Sequence, residues 1–152
     1  METEIRTERE NLNMVEKSMI EDARLDSVQT ELLEIVWRML EAIHTGDWET
    51  YALHTADDLS CYEDVCAYRI DGLEFHSALI QLMAKNPSNR PSRFDMLTPR
   101  VQLYGDTGIV TYTRLMTFDE DGKPRWQTFN ESRVFCKLSG VWKMVHFHRS
   151  PT

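Results

Sequence analysis

Val141-Trp-Lys-Met-Val-His-Phe-His-Arg149-Ser-Pro-Thr152 closes the chain, and its reading decides the fold. Alternation makes it a β-strand on which Val141, Lys143, Val145, Phe147 and Arg149 share one face, with Trp142, Met144, His146 and His148 on the other. A guanidinium on an apolar face is costly unless an anion meets it. Two preceding segments repeat the arrangement. On Ile109–Asp119, Val110, Tyr112, Arg114, Met116 and Phe118 share a face. On Trp126–Leu138, Phe129, Glu131, Arg133 and Phe135 do. The turns between these strands are short: Glu120-Asp121-Gly122 is a hairpin signal and Ser139-Gly140 a tight turn. Adjacent strands bring Arg114, Arg133 and Arg149 towards one another. Either the three heads converge in a cationic pocket, or they snorkel to water or pair internally, as Glu131 allows for Arg133.

Outward from these strands, Arg93–Tyr104 reads as another strand, joined through a turn at Gly105-Asp-Thr-Gly108. Before it the period is helical. Leu32, Leu33, Val36, Trp37, Leu40 and Ile43 form the apolar stripe of a helix that starts near Gln29, with Glu31, Glu34, Arg38 and Glu41 mostly opposite. Gly46 suits its C-cap, and Asp47 the N-cap of a short second helix bearing Trp48, Tyr51 and Leu53. Asp57-Asp58 ends that helix. Leu59–Glu63 reads as a short strand, and 64–71 as a loop with a second short strand near Tyr68–Ile70. Gly72 opens a third helix with Phe75, Leu79, Leu82 and Met83, and Asn86–Pro91 is a loop. Helices followed by a meander of long strands make an α+β domain. Residues 1–28, dense in charge, read as an arm or short solvated helix, and 29–152 as a single domain.

The chain has 152 residues, 41% of them apolar, which suffices for one cored domain. Seventeen Lys and Arg against 25 Asp and Glu give a net charge of −8, which disfavours a nucleic-acid or anionic-membrane partner. No apolar run has the length of a membrane span, and the N-terminus lacks a signal-peptide h-region. Cys61, Cys66 and Cys136 have neither disulfide-framework nor zinc spacing, so a cytoplasmic setting is the simplest expectation. His146 and His148 are spaced for two metal ligands but lack a third, so no metal is assigned. His44 and His54, at the helix junction, are placed near the surface. No cofactor fingerprint is present.

Several landmarks fall in a familiar order: Glu41-Ala-Ile43, Gly46-Asp-Trp48-Glu-Thr-Tyr51, Tyr62-Glu63, Gly72-Leu-Glu-Phe-His76, Lys85-Asn86, Tyr112-Thr-Arg114-Leu, Glu131-Ser-Arg133-Val and Gly140–Ser150. Over residues 29–151 the chain resembles the association, or hub, domain of calcium/calmodulin-dependent protein kinase II, within the nuclear transport factor 2-like (SnoaL-like) superfamily. The resemblance implies a cone-shaped, cystatin-like fold, three helices packed in a strongly curved antiparallel sheet. It implies a homo-oligomer of dimers or rings of dimers. It further implies a small-carboxylate pocket lined by Arg114, Arg133 and Arg149, with Glu63, Tyr62, His76, Tyr112 and Glu131 nearby. With only some 28 residues before the domain, the chain itself is expected to lack kinase activity. Met83 departs from the aromatic residue at that place in the kinase hubs. The alternative that the fold type offers is a SnoaL-like isomerase, cyclase or dehydratase, with Glu63 or His76 as base and an arginine stabilising an oxyanion.

Overall fold

A computed structural model describes residues 27–152, so the arm read over 1–28 lies almost wholly outside the described residues. In chain order the elements are α1 (Ser27–Thr45), α2 (Trp48–Leu53), β1 (Thr55–Tyr62), β2 (Ile70–Asp71), α3 (Glu74–Lys85), a 3-10 turn (Pro87–Asn89), β3 (Arg93–Tyr104), β4 (Thr107–Glu120), β5 (Lys123–Leu138) and β6 (Val141–Pro151). The strands form one curled sheet in the order β2-β1-β6-β5-β4-β3. All neighbours run antiparallel except β1 and β6, which pair in parallel. The sheet is therefore mixed, and the expected purely antiparallel sheet is corrected at this one pairing.

The helical period puts Leu32, Ile35, Val36, Met39 and Leu40 of α1 into the concave face of the sheet, all buried. Trp37, counted in the stripe from its spacing, is 43% exposed. Contact with the sheet is close: a Cβ at Gly108 would lie 2.5 Å from Leu32 Cδ1. Gly108 thus belongs to β4 and not to the turn, which is the pair Gly105-Asp106. Gly46 ends α1 with φ +81°, where a Cβ would meet Ala84 Cβ at 2.3 Å. Asp47 then caps α2, accepting from Thr50 N at 3.1 Å. The helix ends at Leu53 and β1 begins at Thr55, so Asp57-Asp58 lies inside a strand. Leu53 is 59% exposed, and the core residue of α2 is Tyr51. On α3 the inward residues are His76 and Ile80, while Leu82 faces water.

Arg90 fastens the open end of the fold. Its Nη2 donates to the carbonyls of Thr45 (3.1 Å), Met83 (3.3 Å) and Ala84 (3.3 Å). These accept a cation at the two helix C-termini, where the backbone dipoles favour one.

One irregularity in β6 governs the site. The β5–β6 register steps from Phe135↔Met144 to Val134↔His146, leaving Val145 as an extra residue. Trp142 and Met144 point inward before the bulge, and Phe147 and Arg149 after it. Val141, Lys143, His146 and His148 lie on the other face. Strict alternation had assigned the half of β6 before the bulge to the wrong side.

Candidate functional site: an arginine chamber

Strand register builds the site. Tyr112, Glu131 and Arg149 occupy one rung across β4, β5 and β6; Arg133 pairs with Val110 and Phe147 on another, and Arg114 with Phe129 on a third. All of these side chains lie on the concave face, under α1 and α3. Arg114 is 2% exposed, Arg133 1% and Glu131 2%.

Glu131 is the hub of the charge network. Its Oε1 lies 2.8 Å from Arg114 Nη2, and its Oε2 lies 3.4 Å from Arg133 Nη2 and accepts from the Tyr112 hydroxyl. Arg133 Nε donates to the Tyr112 oxygen at 2.8 Å, and Nη1 reaches Met144 Sδ at 3.3 Å. Burial alone would push the Glu131 carboxyl up; Arg114 and Arg133 outweigh it and hold the group below its usual range. Burial pushes the Tyr112 phenol well up and the Tyr51 phenol to about 12. Burial works against the Arg133 cation, but Tyr112 and Glu131 more than compensate, and its protonated form is favoured.

Arg149 belongs to a second cluster. Its Nη2 lies 3.0 Å from Glu63 Oε2 and 2.5 Å from Asp64 Oδ1, and its Nε donates to Asp64 Oδ1 at 2.7 Å. Glu63 Oε1 is 3.1 Å from His76 Nε2. The parallel β1–β6 pairing, Tyr62↔His148, is what sets Glu63 beside Arg149. Aromatic faces complete the lining: Arg133 lies 4.5 Å over Phe147 and Arg149 4.6 Å over Phe129.

The guanidiniums enclose a small space of ≈ 20 Å³, room for about one water molecule. A second, outer chamber of ≈ 180 Å³ adjoins it and shares Ile43, Leu79, Arg114 and Arg149 as walls. His44, Met83, Asn89 and Pro91 complete its mouth. Arg114 stands at the junction. Its Nη2 meets Glu131, but its Nε and Nη1 have no hydrogen-bond partner among the described residues. Burial disfavours the Arg114 cation, and Glu131 supports it.

Of the sequence-derived candidates, Arg114, Arg133, Arg149, Glu63, His76, Tyr112 and Glu131 come together around the two chambers. Tyr62 does not. It is 43% exposed, and its ring faces His146 and His148 on the convex side of the sheet. Two residues were missed. Asp64, two residues beyond β1, pairs with Arg149. His44 was placed near the surface but is 8% exposed; its buried ring follows Val36 and Leu40 at the i+4 spacing that should have placed it inside. Burial first, and Arg114 second, lower its pKa to about 4. His54 is half-buried, with Nδ1 3.0 Å from the Trp142 carbonyl. The described residues hold no group of three or more His, Cys, Asp or Glu placed for a metal ion.

Residues 28–152 match the model of the calcium/calmodulin dependent protein kinase II association domain. The chain belongs to that family. Within it, the rabbit (Oryctolagus cuniculus) type II subunit delta is 32% identical over 134 residues, 86% of this chain and 25% of that protein. This chain therefore spans a quarter of the length of that curated relative. The CaMKII hub homology domain of Chlamydamonas reinhardtii superposes with a TM-score of 0.74 at 32% identity, covering 83% of this chain and 99% of that one. A dehydratase from Streptomyces avermitilis, described as putative and NTF2-like, reaches 0.69 at 21% identity, covering 84% and 99%. That likeness shows the fold alone. The association-domain fold is thus the α+β, nuclear transport factor 2-like one. No described helix is long and apolar enough to cross a membrane.

Proposed function

We propose that this domain is a self-associating hub whose arginine chamber holds a small carboxylate. The observation that carries the ligand is Arg114. A buried cation with two of its three nitrogens unpartnered costs free energy that a bound anion would recover. A carboxylate in the outer chamber would meet those donors in a low-dielectric setting, where charge-assisted hydrogen bonds are strong. The ≈ 180 Å³ of that chamber suits a molecule well below drug size, and Ile43, Leu79, Met83 and Pro91 favour an apolar body behind the carboxylate.

Self-association follows from membership of an association-domain family. The convex face of the sheet supports it: Leu97, Tyr104, Trp126 and Leu138 are all more than 40% exposed there. The reading involves no catalysed reaction. Glu63 spends its two oxygens on His76 and Arg149, which suits an ion-pair partner better than a general base.

Two measurements test the two halves. Native mass spectrometry of the chain is expected to show an assembly larger than a dimer; a monomer would overturn the hub. Calorimetry with acetate is expected to give binding that Arg114→Lys, which keeps the charge but loses the fork of donors, weakens at least about tenfold. Equal affinity in wild type and variant would remove Arg114 from the site.

A further inference from the structure

The charges around the chamber cancel. Arg114, Arg133 and Arg149 face Glu131, Glu63 and Asp64, three cations against three anions, all within ion-pair distance. Four of the other titratable groups around it add nothing at neutral pH. Tyr51 and Tyr112 are phenols pushed up by burial, Cys61 is a thiol pushed up to about 11 by burial and Glu63, and His44 is held neutral by burial. A carboxylate that meets Arg114 therefore brings an uncompensated negative charge in among buried side chains, where an unpaired ion is costly.

A proton from solvent removes that excess. One pair is built to hold it. Glu63 and His76 are both buried and hydrogen-bonded at 3.1 Å through His76 Nε2. As an imidazolium, His76 would donate from Nε2 to Glu63 and present Nδ1–H, an atom with no partner among the described residues. From the surrounding elements the pair faces Tyr51 of α2, Cys61 of β1, Arg114 of β4, Arg133 of β5 and Arg149 of β6, with Asp64 beside it at the end of β1. The carboxyl alternatives are worse placed. Glu131 is already held ionised by Arg114 and Arg133 against its burial, and Asp64 sits at the rim, gripped twice by Arg149.

Resting on the carboxylate reading above, we propose that the chamber binds a small carboxylate together with one proton, stored on the Glu63–His76 pair. In net terms the site takes up a carboxylic acid. The proton comes from water and returns to it on release; no bond other than N–H or O–H is made or broken.

The test is calorimetry of acetate binding to the full chain in Tris, imidazole and MOPS, whose ionisation enthalpies differ. The apparent binding enthalpy should change with buffer in proportion to about one proton taken up, and affinity should weaken by up to about tenfold per pH unit above neutrality. Glu63→Gln, which removes one negative charge at constant shape, should abolish the buffer dependence and bind acetate at pH 8 at least as tightly as wild type. Measurable binding with no buffer dependence in the wild-type chain overturns proton coupling and leaves the carboxylate reading standing. No acetate binding at all sinks the carboxylate reading and this inference with it.

Discussion

Glu131 and Arg149 stand opposite each other in the β5–β6 ladder, yet the ion pairs of Arg149 run to Glu63 and Asp64. Glu131 is committed elsewhere, to Arg114, Arg133 and the Tyr112 hydroxyl. The site is therefore two charge clusters that touch and not one. The deeper cluster is closed among its own members, apart from Arg114. The shallower one includes the partly exposed Arg149 and the rim residue Asp64.

Removing Glu131 should be structurally expensive. Glu131→Ala would leave Arg114 and Arg133 buried without their shared counter-ion, and we expect a loss of about 3–5 kcal/mol in denaturant unfolding. A change below about 1 kcal/mol would mean that the two arginines reach another anion or water.

Acid should weaken the fold in two stages. His44 has its pKa lowered from 6.5 to about 4. Between these values the unfolded chain binds the extra proton and the folded one does not, so stability falls as pH drops from about 6.5 to about 4. The shift corresponds to something on the order of 3 kcal/mol. Glu131, with its folded pKa depressed, contributes stability that is present above the unfolded carboxyl value and lost as pH falls below it through the folded one. Urea midpoints from pH 8 to 3 check this, and His44→Gln should flatten the upper stage alone.

Gly46→Ala should damage the junction of α1 and α3. The new methyl would need a backbone at φ +81° and would collide with Ala84. We expect a destabilisation of at least about 1–3 kcal/mol, read as a lowered thermal midpoint.

Arg90→Met should loosen the mouth without touching the charge clusters. It removes the donors that hold the Thr45, Met83 and Ala84 carbonyls. Amide hydrogen exchange at the end of α3 should quicken, while the exchange of β4 and β5 stays unchanged. Faster exchange throughout the sheet would assign Arg90 a global role.

Much of the chamber was legible because β4 and β5 are uninterrupted. Along them alternation alone places Arg114, Arg133, Tyr112 and Glu131 inside. The same rule, applied strictly to β1, excludes Tyr62 once Glu63 is inward, and the two should not have been grouped. Arg149 shares the inner face with Phe147 despite the bulge, because the irregularity lies before His146 and leaves the alternation beyond it intact. Nothing local announced the parallel β1–β6 pairing, a contact between segments 86 residues apart. Without it, the partnership of Asp64 with Arg149 could not be seen. The position of His44 at the helix junction suggested the surface, when its spacing from Leu40 was the better guide.

The extra contour at Val145 gives β6 an odd-even switch halfway along its length. Draw Val145 into the ladder opposite Val134 while the hairpin stays in register, and everything downstream turns over. The imidazoles of His146 and His148 would swing into the hollow, and Phe147 and Arg149 would be thrown outward. Two imidazoles would then stand where Arg149 does, beside the Arg114 and Arg133 that β4 and β5 hold in place, so one backbone irregularity, made of no unusual residue, decides which bases of β6 the hollow contains.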